Sequence, residues 1–287
     1  MRIDPDKCVA CGNCIAICPM GAMYVDPVKN RATVNEDECV ECYTCFRGMS
    51  VEHLNPVVVR TIRKLGSWFR WRFDPEPDVC PTAAITEQEL IWPRVVRRAF
   101  SDPVVPHEST GVHGRGTEEV KTNDVTNRVG PDESGFTVEF GRPTIGVRFR
   151  QIQEMTRALA RMGIEFEKRN PVTSLMSDMS AGDIREDILS EKILSAIVEF
   201  KTSLPNVPDV LRTIKEVARD LDTVVAVGVS ARCDENGENR LEEMLAREGF
   251  EFNRGKTNLG LGRSFEGKAS GVKEEGIQEF KNPRIQN

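Results

Sequence analysis

The sequence predicts an α+β protein of two units joined by a polar linker. Eight of the nine cysteines lie in the first 80 residues, in two similar runs. Further along, strand-like and helix-like patterns follow in the order β-α-β-β-α-β. A length of 287 residues suits about two domains. We therefore expect a first unit over 1–100, a linker or functional loop over 101–135, a second unit over 136–262 and a polar tail over 263–287.

The cysteine runs organise the first unit. The first motif, at 8–19, reads CVACGNCIAICP, and the second motif, at 39–45, reads CVECYTC. A C-x2-C-x2-C loop presents three thiolates to one small metal cluster, so the fourth must come from elsewhere in the chain. No cysteine closes the second motif, but Cys80 precedes a proline in CPTAAI as Cys18 does in CPMGAM. Cys80 is thus read as a displaced fourth cysteine, with residues 46–79 inserted before it.

This doubled pattern resembles the bacterial-type two-[4Fe–4S] ferredoxins over residues 1–100. Zinc sites usually use cysteine pairs rather than two triplets, and an odd cysteine count in a chain without a signal peptide argues against disulfides. The resemblance implies two [4Fe–4S] clusters with interlocked ligands. Cluster I would use Cys8, Cys11, Cys14 and Cys80, and cluster II would use Cys39, Cys42, Cys45 and Cys18.

Composition limits the other functions. The chain is 39% hydrophobic and 29% charged, with a net charge of −6. That charge argues against nucleic-acid binding. No apolar run approaches the roughly 20 residues of a membrane span, and the N-terminus opens directly into the first motif. We therefore expect a cytoplasmic protein, where thiols stay reduced.

Two segments of the first unit have local patterns of their own. Strands at Met23–Val25 and Ala32–Val34 should form a hairpin, and AITEQELIW after Cys80 should supply the equivalent strand of the second half. The inserted segment Val57–Phe73 carries five cations and no acid, with helical apolar spacing interrupted near Gly66. It could be a lid over the clusters, a docking patch for an acidic redox partner or a membrane-surface helix. Marginal membrane affinity of one short helix argues against the last.

The second unit is predicted to be a ferredoxin-like βαββαβ sandwich. No metal, nucleophile or dinucleotide motif occurs in it. Lone candidates have ordinary explanations: Cys233 as a structural cysteine, the pair Glu165 and Glu167 as a solvated sheet surface, and the linker residues His107 and His113 as exposed. The predicted elements are strands at Phe136–Phe140, Ile164–Lys168, Leu194–Lys201, Thr223–Ser230 and near Phe250–Asn253, helices at Val147–Met162, Val207–Leu221 and Glu238–Arg247, and a loop at Asn170–Arg185.

A second resemblance covers residues 115–262. RGTEEVKTNDVT at 115–126, and GRPTIGVRF leading into the helix, are similar to proteins grouped with ferredoxin-dependent 6-hydroxynicotinate reductase. This resemblance implies a place in an anaerobic reductase of ring or conjugated carbonyl substrates, with a flavin on a partner subunit.

Three functions remain open from the sequence. The first is an electron-transfer protein or subunit that serves a redox partner or catalytic subunit of a larger anaerobic oxidoreductase. The second is a self-contained reductase, and the third is a non-catalytic regulatory or assembly protein. The first leads because it needs only the sites that are visible in the sequence. Oligomer formation is left open.

Overall fold

The computed structural model describes residues 1–47, 56–70, 79–105, 128–234 and 236–254. The predictions for His107 and His113, for most of the linker and for the tail 263–287 lie outside these residues.

The first unit is built from short strands around the cysteine motifs. Its hairpin joins β2 (Met23–Asp26) to β3 (Arg31–Val34) and confirms the sequence prediction. Strand β1 (Arg2–Ile3) pairs with β4 (Ile85–Thr86), so AITEQELIW does supply a strand, although one of only two residues. Two short helices, α1 (Asn13–Ile17) and α2 (Thr44–Arg47), begin within the motifs.

Helix α3 (Pro56–Trp68) lies in the inserted segment. It runs through Gly66 and ends two residues later, at Trp68, so the interruption predicted near this glycine corresponds to the end of the helix. Several of its apolar side chains are exposed: Leu65 is 58% exposed and Trp68 is 85% exposed, whereas Ile62 is half-buried. Residues 71–73 of the predicted segment lie outside the described residues.

Helix α4 (Val95–Ser101) follows β4 and lies against the second unit. Its apolar side chains Val96 and Phe100 are buried in the large C-terminal core, where Phe100 meets Phe149 edge to face. The end of the first predicted unit is thus packed into the second.

A four-stranded antiparallel sheet forms the centre of the second unit, in the order β12-β5-β11-β7. Its core-facing side is apolar, with Phe136, Val138 and Phe140 alternating with more exposed residues along β5. The elements in chain order are β5 (Glu133–Phe140), β6 (Val147–Arg148), α5 (Phe149–Ala160), β7 (Glu165–Phe166), β8 (Met176–Asp178), β9 (Asp183–Ile184), β10 (Lys192–Ile193), β11 (Ala196–Ser203), α6 (Val207–Asp220), β12 (Val225–Ala231) and α7 (Arg240–Arg247).

Three local predictions need correction. Residues 147–148 pair with β10 instead of starting the helix, and α5 begins after Arg148, whose N–H donates to the Gln151 side chain at 2.9 Å. The predicted loop Asn170–Arg185 contains a 3-10 turn and the β8–β9 hairpin. No strand forms at 250–253, because the Phe250 N–H bonds back to the Leu245 carbonyl and ends α7.

Candidate metal centre

Four of the eight thiols meet at one cavity. Cys8, Cys11, Cys14 and Cys80 line it together. Cys8 and Cys14 are buried, Cys80 is half-buried and Cys11 is exposed. The rest of the wall is largely apolar and includes Ile3, Val9, Ala32, Val79, Ala84 and Ile85. The fourth cysteine of this first thiol set is contributed across the insertion.

The other four cysteines form a second, more deeply placed thiol set. Cys39 and Cys45 are buried, and Cys18 and Cys42 are half-buried. Burial raises the pKa of the Cys45 thiol, and the three other sulfurs of the set lie near enough to raise it further. Burial also raises the pKa of Cys39, to about 11, with a contribution from Glu41. Proximity of Cys18 to the second motif is what the sequence pattern predicts.

The backbone repeats from one motif to the other. In each motif, the backbone is left-handed at two positions: two residues after the first cysteine (Ala10 and Glu41) and directly after the second cysteine (Gly12 and Tyr43). Each Cys-Pro segment has one such position, three residues after its cysteine (Gly21 and Ala83). A loop that wraps around a compact object needs such turns, and the second motif adopts them without glycine.

Backbone hydrogen bonds repeat as well. The Cys8 N–H donates to the Asp4 carbonyl at 3.1 Å, and the Cys39 N–H donates to the Asn35 carbonyl at 3.0 Å. In turn, the Asp4 N–H reaches the Ala84 carbonyl at 2.8 Å, and the Asn35 N–H reaches the Ala22 carbonyl at 2.7 Å. Ala84 and Ala22 each lie four residues after a Cys-Pro cysteine. Cys80 therefore has the same backbone relation to the first motif as Cys18 has to the second.

Amide groups also point at sulfur. The Ala84 N–H donates to Cys80 Sγ at 3.2 Å, and the Ala32 N–H donates to Cys8 Sγ at 3.4 Å. Burial raises the pKa of Cys80, but bonds from the Thr82 hydroxyl and from amides including that of Ala84 outweigh it and hold this pKa below its ordinary value. Such donors stabilise negative charge on sulfur, and they are one of the ways in which a protein sets a cluster potential.

The donor chemistry fits a [4Fe–4S] group. Each set offers four thiols, the ligands that cubanes take, and the first set surrounds a cavity with apolar walls. Within the described ranges, no three Cys, His, Asp or Glu side chains converge closely enough to hold a single metal ion. A cubane needs a wider arrangement, since each thiolate binds a different iron at a different corner.

The second motif is surrounded by charged side chains that the sequence patterns did not single out. The Arg97 side chain, 5% exposed, donates from Nη1 to the Cys39 and Glu36 carbonyls at 2.8 Å each, and from Nε to the Glu191 carboxylate. The Arg47 Nη2 donates to the Cys42 carbonyl at 3.1 Å. One signal was present in the sequence: Arg94, directly before α4, and Arg97 and Arg98 within it are spaced at i, i+3 and i+4.

The remaining candidates of the sequence lie elsewhere. Cys233 is exposed and is not among the thiols that line the cavity. Glu165 lies 3.5 Å from the Lys201 ammonium, and Glu167 pairs with Arg128. Glu165 is exposed, as the interpretation of a solvated sheet surface expects, whereas Glu167 follows β7 and its side chain is only 17% exposed.

Comparisons with known proteins give matches to ferredoxin-type sequences. Residues 1–48 match the family model of a 4Fe-4S dicluster domain. Two curated relatives, both named ferredoxin-1, come from Rhodobacter capsulatus. Each is 43% identical over 42 residues, which is 15% of this chain and 62% of the relative. No solved structure gives a significant match. The chain therefore spans less than two thirds of the length of these relatives.

Residues 1–48 are thus a ferredoxin-type segment, and the chain binds [4Fe–4S] clusters. A segment of this kind suggests iron–sulfur electron transfer. In the part of the chain that the structure describes, none of the helices has the length and apolar character needed to cross a membrane.

Proposed function

We propose that this chain passes single electrons through two [4Fe–4S] clusters to a redox partner or catalytic subunit of a larger anaerobic oxidoreductase. When bound, each cluster takes up and releases one electron. The proposed ligands of cluster I are Cys8, Cys11, Cys14 and Cys80, and those of cluster II are Cys39, Cys42, Cys45 and Cys18.

The observation that carries the proposal is the position of Cys80. It lines one cavity with the three cysteines of the first motif, and its Cys-Pro segment repeats the backbone turn and hydrogen bonds of Cys18. A long insertion is compatible with this arrangement, because the entropy of loop closure rises only slowly with loop length.

Exposure supports cluster I as the point of electron exchange with a partner. Cys11 reaches the surface, whereas the second motif is covered: Tyr43 is buried and the Arg98 guanidinium lies 4.0 Å from the centre of its ring. In this proposal the surface around Cys11 meets the partner, and the second thiol set is the inner end of the electron path.

The proposed partner is an acidic protein that docks on α3. The segment Val57–Phe73 contains five cations and no acid, and Lys64 and Arg70 are exposed. The lid interpretation needs the apolar face of this segment to be buried, but Leu65 and Phe69 on that face are exposed. Complementary charge would speed the encounter with a partner and make it sensitive to salt.

We also propose that the second unit is a ferredoxin-like sandwich in the cytoplasm that attaches the clusters to the larger enzyme. Its sheet order β12-β5-β11-β7, with helices α5 and α6 in the two βαβ connections, supports this fold. Since such folds serve many functions, the attachment role depends on the co-isolation test described below.

The ligand assignment is tested with Cys80→Ser and with Cys233→Ser as the matched control. Both proteins are prepared without oxygen, and iron and sulfide are measured per chain. Two cubanes give eight irons. Cys80→Ser should lose up to about half of this iron, because one corner of cluster I loses its thiolate, whereas Cys233→Ser should keep all of it. Full iron and an unchanged reduced-state EPR spectrum in Cys80→Ser would remove Cys80 from the ligand set.

The electron-transfer role needs its own experiment. The chain is purified without oxygen together with whatever co-isolates, and the bound protein is identified. The reduced chain should reoxidise on mixing with that protein, at a rate that falls as salt rises. If the isolated chain carried flavin and reduced a substrate without a partner, it would be a self-contained reductase. If no electron passed onward but reduction changed partner affinity, it would be regulatory.

A further inference from the structure

The two edges of the C-terminal sheet differ in how they are protected. Edge strand β7 has two residues and carries Glu165, followed by Glu167, both paired with cations. Short, charged edges resist pairing with other chains. The opposite edge, β12, spans seven residues with the sequence VAVGVSA. It is long and contains neither a charged residue nor a proline, so none of these features protects it from pairing with another strand.

The hydrogen-bonding groups of β12 point outward in a regular set. The Gly141 N–H donates to the Val224 carbonyl at 3.0 Å, so the backbone at Val224 faces β5. Directions alternate along a strand, and the β12–β5 register is unbroken. The amide groups of Val225, Val227 and Val229 therefore point away from the sheet. Among the described residues, these groups have no hydrogen-bond partner.

The side chains at these positions are apolar. Val225 and Val229 pack partly against the core, and Val227 between them is 40% exposed. A strand that continued the sheet here would cover Val227 and extend the apolar layer of the core. We propose that the occupant is β12 of a second copy of this chain, added antiparallel across a two-fold axis.

The sequence of the edge is complementary to itself in one register. With Val227 opposite its own counterpart, Val225 faces Val229 of the second copy, and each of these pairs exchanges two backbone hydrogen bonds. Continued to the residues that flank the strand, the same register brings the exposed Asp222 of one copy toward the half-buried Arg232 of the other, whose Nε also donates to the Val129 carbonyl at 2.5 Å. A register centred on Gly228 would instead set Asp222 against Asp234. Apolar pairing and charge thus favour the same alignment.

Association is tested on the full-length holoprotein by sedimentation velocity. The wild type should change from 32.2 kDa toward twice that mass at concentrations on the order of 10 µM, since edge pairing alone makes a small interface. Val227→Lys places like charges opposite each other and should weaken dimer formation roughly ten-fold or more. Val28→Lys, at a fully exposed valine of the N-terminal hairpin, is the matched control and should dimerise as the wild type does.

A mixing experiment tests the register. Val227→Lys and Val227→Glu should each be monomeric, and a mixture of the two should recover the dimer because opposite charges then face each other. Circular dichroism and iron content confirm that both variants are folded. A wild type that stays at 32.2 kDa near 100 µM would overturn the proposal, as would a Val227→Lys protein that dimerises normally or a mixture that does not associate.

Discussion

Arg97 joins the second motif to the C-terminal unit, and replacing it by methionine is expected to lower the free energy of unfolding by about 3–5 kcal/mol. The side chain is 5% exposed. It donates to the Glu36 carbonyl, in the loop before the second motif, and to the carbonyl of Cys39, the first cysteine of that motif. It also pairs with the buried Glu191. Methionine keeps most of the volume but none of these donors.

The magnitude follows from what remains after the substitution. A surface ion pair contributes at most about 1 kcal/mol. Here, removal of one partner leaves the Glu191 carboxylate and the Cys39 carbonyl without this donor in a buried site, which is much more costly. The exposed Glu36 carbonyl keeps a bond from Arg94 Nη1 at 3.2 Å. Changing Glu191 to glutamine in the same protein removes that buried charge. The double variant should therefore be less destabilised than the sum of the two single variants.

Urea unfolding followed by far-UV circular dichroism, without oxygen, measures the effect. Arg240→Met is the matched control, because Arg240 also pairs with a carboxylate, that of Asp132 at 2.7 Å, but both of these side chains are more than half exposed. The control should lose less than about 1 kcal/mol. If Arg97→Met lost no more than the control, the buried contact would not stabilise the joint between the units.

Two smaller predictions concern the second unit. Gly182→Ala should lower stability clearly more than Gly163→Ala. Both glycines have positive φ, but only a Cβ at Gly182 would meet backbone, at 2.3 Å from the Thr156 carbonyl oxygen. The thermal midpoints of the two variants measure the difference, and equal decreases would contradict the prediction. The Arg185 guanidinium bonds to Asp187 and holds the pKa of that carboxyl below its usual range, against the effect of burial. This stabilisation is present above about pH 4 and is lost as pH falls through the lowered pKa. The wild type and Asp187→Asn should therefore differ slightly in thermal midpoint, by the equivalent of less than about 1 kcal/mol. This difference should shrink below pH 4. A difference that stayed constant to pH 3 would contradict it.

The parts of the fold that the sequence predicted are those determined locally. The hairpin β2–β3 follows from alternation around a turn, and α5 and α6 follow from helical apolar spacing. Where tertiary contacts decide, the prediction failed. Val147 continues the helical pattern, yet it pairs with Ile193 as part of β6.

The joint between the units could not be predicted, because its contacts connect residues far apart in the chain. Glu38 pairs with Lys192 and lies 3.2 Å from the Arg148 guanidinium, more than 100 residues away in each case. Nothing in local spacing selects these partners among the 39 basic and 45 acidic residues of the chain. The cysteine motifs were predictable for the opposite reason, since cluster ligation restricts both residue type and spacing.

A valine occupies the same position in both motifs, but its exposure differs between them, and the motif sequences do not predict this difference. Val9 follows the first cysteine of the first motif and is 60% exposed, whereas Val40 follows the first cysteine of the second and is 1% exposed. Their backbones repeat, so the difference comes from what packs around them. At the second motif, Arg97 and Arg98 of α4 contact Cys39 and Tyr43. Because burial and hydrogen bonding to sulfur tune cluster potentials, two nearly identical motifs in one chain are given unequal surroundings, and the two clusters should differ in potential.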